Sequence, residues 1–255
     1  MSFDSPWWNA LFPAEVLDER LIYALAAACV ASLVRGFAGF GSAMMLSPIF
    51  AILYGPTNMI ALITLSELSI SAQLLPGAMA HVQWRFVSPM ALVAVICMPL
   101  GILILVSVDP VILTRVIAAI VGVFALSMVW GWRYKGEKKL SITVGVGALS
   151  GTMMATTSMG GPPVLAYMLS GPDHAATNRA NIIVYYAFTG LGVLGLMFWH
   201  GFLEWWHVGL AIIITPIYVI GGAIGSRGFR ASSEQLYRRV ALGILLVVAL
   251  FGLLR

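Results

Sequence analysis

Apolar and polar positions alternate along the chain in long blocks. Apolar stretches run approximately over residues 16–34, 42–54, 58–75, 86–106, 111–131, 140–155, 161–170, 178–200, 206–226 and 235–254. A helix that crosses a bilayer needs about 20 apolar residues, with roughly 17 as the lower edge. The pattern therefore predicts a bundle of membrane helices in which 42–54 and 161–170 are too short to span. Each short stretch follows an interruption. The first, residues 35–42, places Arg35, Gly36, Gly39, Gly41 and Ser42 inside what would otherwise be one apolar run from Leu21 to Tyr54. The second, residues 156–163, reads Thr156, Thr157, Ser158, Met159, Gly160, Gly161, Pro162 and Pro163, and its prolines cannot donate to a preceding turn. Such residues weaken a helix and free backbone groups that hydrocarbon cannot satisfy, so both interruptions are expected to be buried in protein or to line a polar cavity.

Charge placement separates two readings of these breaks. If each interrupted run crosses once, the chain makes eight crossings and the basic residues divide seven against six, with Arg35 unassigned. If each break reverses the chain, Arg35, Arg85, Arg133, Lys135, Lys138, Lys139, Arg179, Arg227, Arg230, Arg238 and Arg239 share one face, and only Arg20, Arg115 and Arg255 lie opposite. Lys and Arg accumulate in cytoplasmic loops, so the second scheme predicts ten segments, basic loops in the cytoplasm and both termini outside. Ten segments divide into an N-terminal repeat at 16–131 and a C-terminal repeat at 140–254, joined by a basic cytoplasmic linker at 132–139. Gly55-Pro56 recurs as Gly171-Pro172, and Val82-Gln83-Trp84 recurs as Leu203-Glu204-Trp205. An odd number of segments per copy inverts the second copy in the membrane. The predicted fold class is an all-α polytopic membrane protein made of two inverted repeats of about five segments each, with short or broken helices after the Gly-rich motifs.

Composition narrows the function classes. The chain is 60% hydrophobic and 9% charged, against about 25% charged for a soluble domain. Its net charge of +4 reports orientation in a membrane rather than a nucleic-acid partner. Asp4, Glu15, Asp18 and Glu19 stand where a signal peptide would be basic, so no cleavable signal is expected, and Trp7, Trp8, Leu11 and Phe12 read as an interfacial anchor. Cys29 and Cys97 lie in apolar segments without a Cys or His at ligand spacing, and read as small buried side chains. His81, His174, His200 and His207 fall at loops or segment ends and read as surface histidines. No cofactor or metal is indicated. An intramembrane enzyme is the alternative from another class, but the chain has no H-E-x-x-H, no G-x-S-x-G and no intramembrane acidic pair. A non-catalytic subunit of a membrane complex is a further alternative, and the absence of a phosphate loop argues against ATP hydrolysis by this chain.

The candidate chemistry sits at the breaks and on two polar segments. Half-helices beginning near Ser42 and Gly160 present unpaired N–H groups and the positive end of a helix dipole. If the halves are inverted, these ends converge and form an anion site. Gly39, Gly41, Gly160 and Gly161 shape it, and the hydroxyls of Ser42, Ser47, Thr156, Thr157 and Ser158 add donors. Close helix packing by small residues is the alternative reading of the glycines. Arg35 abuts the first break and reads either as an anion-binding charge or as a positive-inside anchor. Thr64, Glu67 and Ser71 share one helical face, while Ser66, Ser69 and Gln73 share nearly the opposite one, so this segment should be enclosed by protein. Glu67 is either a proton-carrying coupling residue or a neutral hydrogen-bonded acid. Asn178, Asn181, Tyr185, Thr189 and Gly192 form one stripe, with Arg179, Tyr186 and Gly190 beside it, an arc that could line a water-filled path. Arg179 could neutralise an anion there, or snorkel to lipid phosphate.

The paired motifs Gly36 to Pro48 and Gly151 to Pro163, each running on into a Gly-Pro, with Arg179 opening the next helix of the second half, resemble the TauE/SafE family of sulfite exporters. The resemblance covers about residues 20–254. It implies export of sulfite or small organosulfonate anions across the bacterial inner membrane, driven by an ion gradient. Ser42 and Ala43 stand where family members often continue with glycine, and Thr156 to Ser158 replace glycines of the second motif. The expected partners are a small sulfur-containing oxyanion and the lipid bilayer, with no nucleic acid and with room for oligomerisation.

Overall fold

The structure, a computed structural model, describes residues 7–13, 18–109, 139–168 and 173–233, with isolated positions at 112, 115, 116, 119, 123 and 236. The expected segments 111–131 and 235–254 and most of the linker 132–139 lie outside the described residues. Within them every regular element is a helix: α1 (Trp7–Leu11), α2 (Glu19–Ala38), α3 (Ser42–Tyr54), α4 (Pro56–Ala78), α5 (Trp84–Ser107), α6 (Leu140–Thr157), α7 (Gly161–Met168), α8 (Ala175–Trp199) and α9 (Trp205–Arg230). Six of these, α2, α4, α5, α6, α8 and α9, are long and apolar enough to cross a membrane. The chain is a multi-pass membrane protein.

Local chemistry sets the helix boundaries. Asp18 caps α2 by accepting the Arg20 N–H at 2.8 Å, and Gly39 ends it in the left-handed region at φ 82°, its N–H reaching the Arg35 carbonyl. The first break is thus narrower than the sequence pattern suggests. Arg35, Gly36 and Phe37 are still helical, because Gly36 is needed inside the helix: a Cβ there would collide with the backbone of Gly222 on α9. At the second break α6 runs through Thr157 and ends at Ser158, also left-handed at φ 58°. Gly55 and Pro56 terminate α3 and start α4 in the familiar order of glycine after a helix and proline at its first position.

Both short helices double back along the helix before them. Arg20, at the start of α2, donates to the carbonyl of Leu53, at the end of α3, at 3.3 Å. Thr143, near the start of α6, lies 2.6 Å from the hydroxyl of Tyr167, near the end of α7. α2 runs parallel to α9, with Ser32 beside Gly221 and Phe37 beside Gly225, and α5 runs parallel to α6, with Met90 beside Gly147 and Ala94 beside Gly151. Glycine lets these backbones touch, as is common between membrane helices. α4 and α8 cross the centre antiparallel, Leu68 lying against Gly190.

Several expectations change. Cys29 is exposed on the outer side of α2 rather than buried, because the inward positions of that helix are Ala24, Ala28, Ala31 and Ser32. His207 is fully buried: its Nδ1 accepts the Glu204 N–H at 2.9 Å and its Nε2 lies 3.0 Å from Asn58 Oδ1, so it closes the start of α9 against α4. Most of the polar stripe on α8 is taken up in bonds to neighbouring helices and loops. Asn181 is clamped to Gln83, Tyr185 donates to Ser150 at 2.7 Å, and Thr189 returns its hydroxyl to the Tyr185 carbonyl.

Candidate functional site

Arg35 is 0% exposed. Its position one turn before Gly39 turns its side chain toward α4 instead of out to a loop. Nε lies 2.8 Å from Oε2 of Glu67, and Nη2 donates to Ser71 Oγ at 3.1 Å. The guanidinium carbon sits 4.6 Å from the ring centre of Tyr186 on α8, adding the attraction of a cation for an aromatic face. Ser42, the first residue of α3, donates its hydroxyl to the other oxygen of Glu67, Oε1. The Thr64, Glu67 and Ser71 face of α4 is therefore the wall of this site, and all three residues are buried. The remaining guanidinium nitrogen, Nη1, is buried without a hydrogen-bond partner among the described residues, as are the hydroxyls of Thr64 and Tyr218. Tyr218 on α9 is close enough to interact electrostatically with both Glu67 and Arg35.

Two opposite charges in a dry interior cost several kcal/mol each to desolvate, and the pair recovers this only with close geometry and further hydrogen bonds. Removing one partner of such a pair typically costs about 3–5 kcal/mol. Buried donors are nearly always satisfied in native structures, so an open guanidinium N–H beside such a pair calls for an explanation beyond stability.

The second break abuts the first. Ser47 of α3 donates to the carbonyl of Thr157, at the end of α6, at 3.1 Å. Tyr186 bridges them: its ring lies under Arg35, and a Cβ at Gly161, the first residue of α7, would strike its hydroxyl. Gly160 packs on α6, where Ser150 donates to its carbonyl. Thr156 donates to the Gly101 carbonyl of α5 at 3.1 Å, and Thr157 both donates to Met153 and accepts the Met159 N–H. Ser158 keeps a buried hydroxyl with no partner among the described residues.

Of the expected site residues, the structure gathers Arg35, Ser42 and Glu67 into direct contact. Gly39 and Gly41 form the turn beside them, both at positive φ. Ser47, Thr157, Gly160 and Gly161 lie where the two breaks meet. Arg179 and Asn181 are elsewhere. Arg179 donates to the carbonyls of Gly36 and Phe37, satisfying the end of α2, and its guanidinium lies 4.5 Å from the Phe229 ring centre. Asn181 holds the loop between α4 and α5 through Gln83. Ser71 and Tyr186 were visible as members of polar stripes without an assigned role. Tyr218 carried only the signal of a lone hydroxyl amid an apolar span.

A cavity of about 590 Å³ opens beyond Arg179, between the ends of α4 and α9 and the start of α8. Gln73, His81, Arg179, Ser226, Arg227 and Arg230 supply the polar part of its lining, which among the described residues is cationic and holds no acidic side chain. Arg179 thus stands between this cavity and the turn of helix that carries Arg35.

A multi-pass helical bundle with a buried ion pair beside two helix breaks has the build of a membrane transporter. The chain belongs to the sulfite exporter TauE/SafE family, whose sequence profile matches residues 24–252. It is 26% identical over 190 residues, 73% of this chain and 74% of the relative, to a protein of Cupriavidus necator described as a probable sulfite/organosulfonate exporter TauE. No solved structure matches the chain.

Proposed function

We propose that this protein is a secondary transporter that exports sulfite or a small organosulfonate across the inner membrane, coupled to an ion gradient, with its basic loops in the cytoplasm. The observation that carries the reading is Arg35, a fully buried cation with an open N–H at the meeting point of two helix breaks. The starts of α3 and α7 add positive dipole ends, and α3 adds first-turn N–H groups, which suit an oxyanion and require no further charge. The cationic cavity at Arg179, Arg227 and Arg230 offers an approach from the basic face. Family membership and the relative's description supply the sulfur oxyanion as the substrate class.

Inverted repeats fit the helix directions. The central helices α4 and α8 are antiparallel, and the first helix of each half lies along the fourth of the other. Rocking of one half against the other would open the buried pair alternately to each face. With Arg35 withdrawn into the core, ten basic residues remain toward one face against three toward the other, which keeps the orientation assigned from charge.

The test is uptake of sulfite and of methanesulfonate by vesicles containing the purified chain. Arg35→Ala should reduce uptake at limiting substrate by at least about tenfold, because truncating a buried charge partner costs about 2–5 kcal/mol of binding, while Arg35→Lys retains part of it. Unchanged uptake by correctly folded Arg35→Ala would remove Arg35 as the anion's ligand.

A further inference from the structure

We propose that Glu67 is a tethered stand-in for the transported anion, so that substrate binding displaces its carboxylate and each anion crosses together with one proton held on Glu67. This rests on the anion-transport reading above and adds the sense of coupling to it: proton and anion move in the same direction, so an inward proton gradient opposes export and net efflux runs down the anion's own outward gradient. The carboxylate takes the donors a substrate oxyanion would want: the Arg35 guanidinium on Oε2 and the first hydroxyl of α3, Ser42, on Oε1. Of the guanidinium nitrogens Nη1 alone is left open, beside the unpartnered hydroxyls of Thr64 and Tyr218, so an arriving anion meets only part of the donor set at first. Full engagement requires Glu67 to let go. A released, ionised carboxylate would remain buried and unpaired, which is costly, whereas protonation lets it leave the cation as a neutral acid.

Among the described residues, the surroundings give no other group to carry this proton in exchange. Facing Glu67 are Arg35 from α2, Ser42 from α3, Tyr186 from α8 and Tyr218 from α9, with Thr64 and Ser71 on its own helix. The described span of α6 contains no titratable side chain. Arg35 stays charged at any ordinary pH, and the tyrosines are neutral donors, so the carboxylate alone can change charge. Proton and substrate then bind with positive linkage. Protonating Glu67 frees the anion's donors, and filling those donors favours protonation by the same factor. For a monovalent anion the loaded and empty sites carry equal charge.

The experiment uses the full chain in vesicles with methanesulfonate, an anion that does not itself titrate near neutral pH. The apparent KM should fall by about tenfold for each unit of acidification while Glu67 is mainly ionised in the empty site. Uptake should acidify the vesicle interior and be indifferent to membrane potential. Glu67→Gln, which cannot ionise, should bind tighter than wild type at alkaline pH, lose the pH dependence and become sensitive to potential. Glu67→Asp should keep the pH dependence, with a shifted midpoint. Should Glu67→Gln fail to fold, the wild-type pH profile and proton movement still decide the matter. A flat KM in wild type, anion entry without a proton, or a Gln variant that keeps the wild-type slope would overturn the inference and leave the transport reading intact. If wild type moves neither sulfite nor methanesulfonate, the transport reading falls and takes this inference with it.

Discussion

The two breaks share a backbone plan and differ in chemistry. In each, a helix ends in a left-handed residue, Gly39 or Ser158, whose N–H bonds the carbonyl four positions earlier. That earlier residue is Arg35 in the first break and Met154 in the second. The short helix that follows begins with a hydroxyl directed at a carboxylate in the first case, Ser42 to Glu67, and with a glycine pressed on a neutral tyrosine in the second, Gly161 on Tyr186. Around the second break the polar groups bond neutral partners, as Ser150 does Gly160 and Tyr185 and Thr156 does Gly101, with no charged side chain among them. Similar backbone shape therefore does not carry similar charge. A second buried cation would need its own desolvation and its own partner.

Arg35→Met tests that contrast most severely, since it gives the first break the residue type of the second at similar length. Binding should weaken by about 2–5 kcal/mol, seen as loss of uptake at limiting substrate, while Met154→Leu should leave uptake nearly unchanged. Equal effects of the two substitutions would mean the breaks are chemically equivalent. The shared shape is tested by Gly36→Ala and Gly151→Ala. A Cβ at either would run into a neighbouring backbone, at Gly222 or at Ala94, and overpacking of this kind costs about 1–3 kcal/mol. Thermal unfolding in detergent should show similar losses for both. A loss confined to one would show that the two helix crossings are not counterparts.

The backbone plan was legible in the sequence because it is written in local terms. Glycines, prolines and two apolar runs too short to span marked both breaks, and the first short helix falls at residues 42–54 as the apolar run does. Arg35 and Glu67 stood out as charges within apolar stretches, and the spacing of Thr64, Glu67 and Ser71 placed them on one face. Partner choice was not legible. The bonds from Arg179 to Gly36 and Phe37 join positions more than 140 residues apart, and His207 is buried only because Asn58 meets it from across the fold. Positive-inside reasoning also drew Arg35 to a loop, since a count of charges along the chain cannot register that a carboxylate waits for it in the core.

Ser158 gives the smallest effect and the finest comparison. It is the one non-glycine residue at positive φ among the described residues, where the first break uses Gly39. A side chain in the left-handed region costs roughly 1–2 kcal/mol, and glycine returns part of this gain through the freedom of the unfolded chain, about 0.5–1 kcal/mol. Ser158→Gly should therefore raise the unfolding temperature slightly, by the equivalent of about 0.5–1 kcal/mol. Strain kept at a site that a simpler residue would relieve points to a use for the side chain, and the Ser158 hydroxyl is buried with no partner among the described residues. If that hydroxyl helps to hold the anion as it passes the second break, Ser158→Gly should be more stable yet show a higher KM, whereas Ser158→Ala should raise KM without the gain in stability. Unchanged KM in both variants would confine ligand contacts to the charged break and make the second break a scaffold.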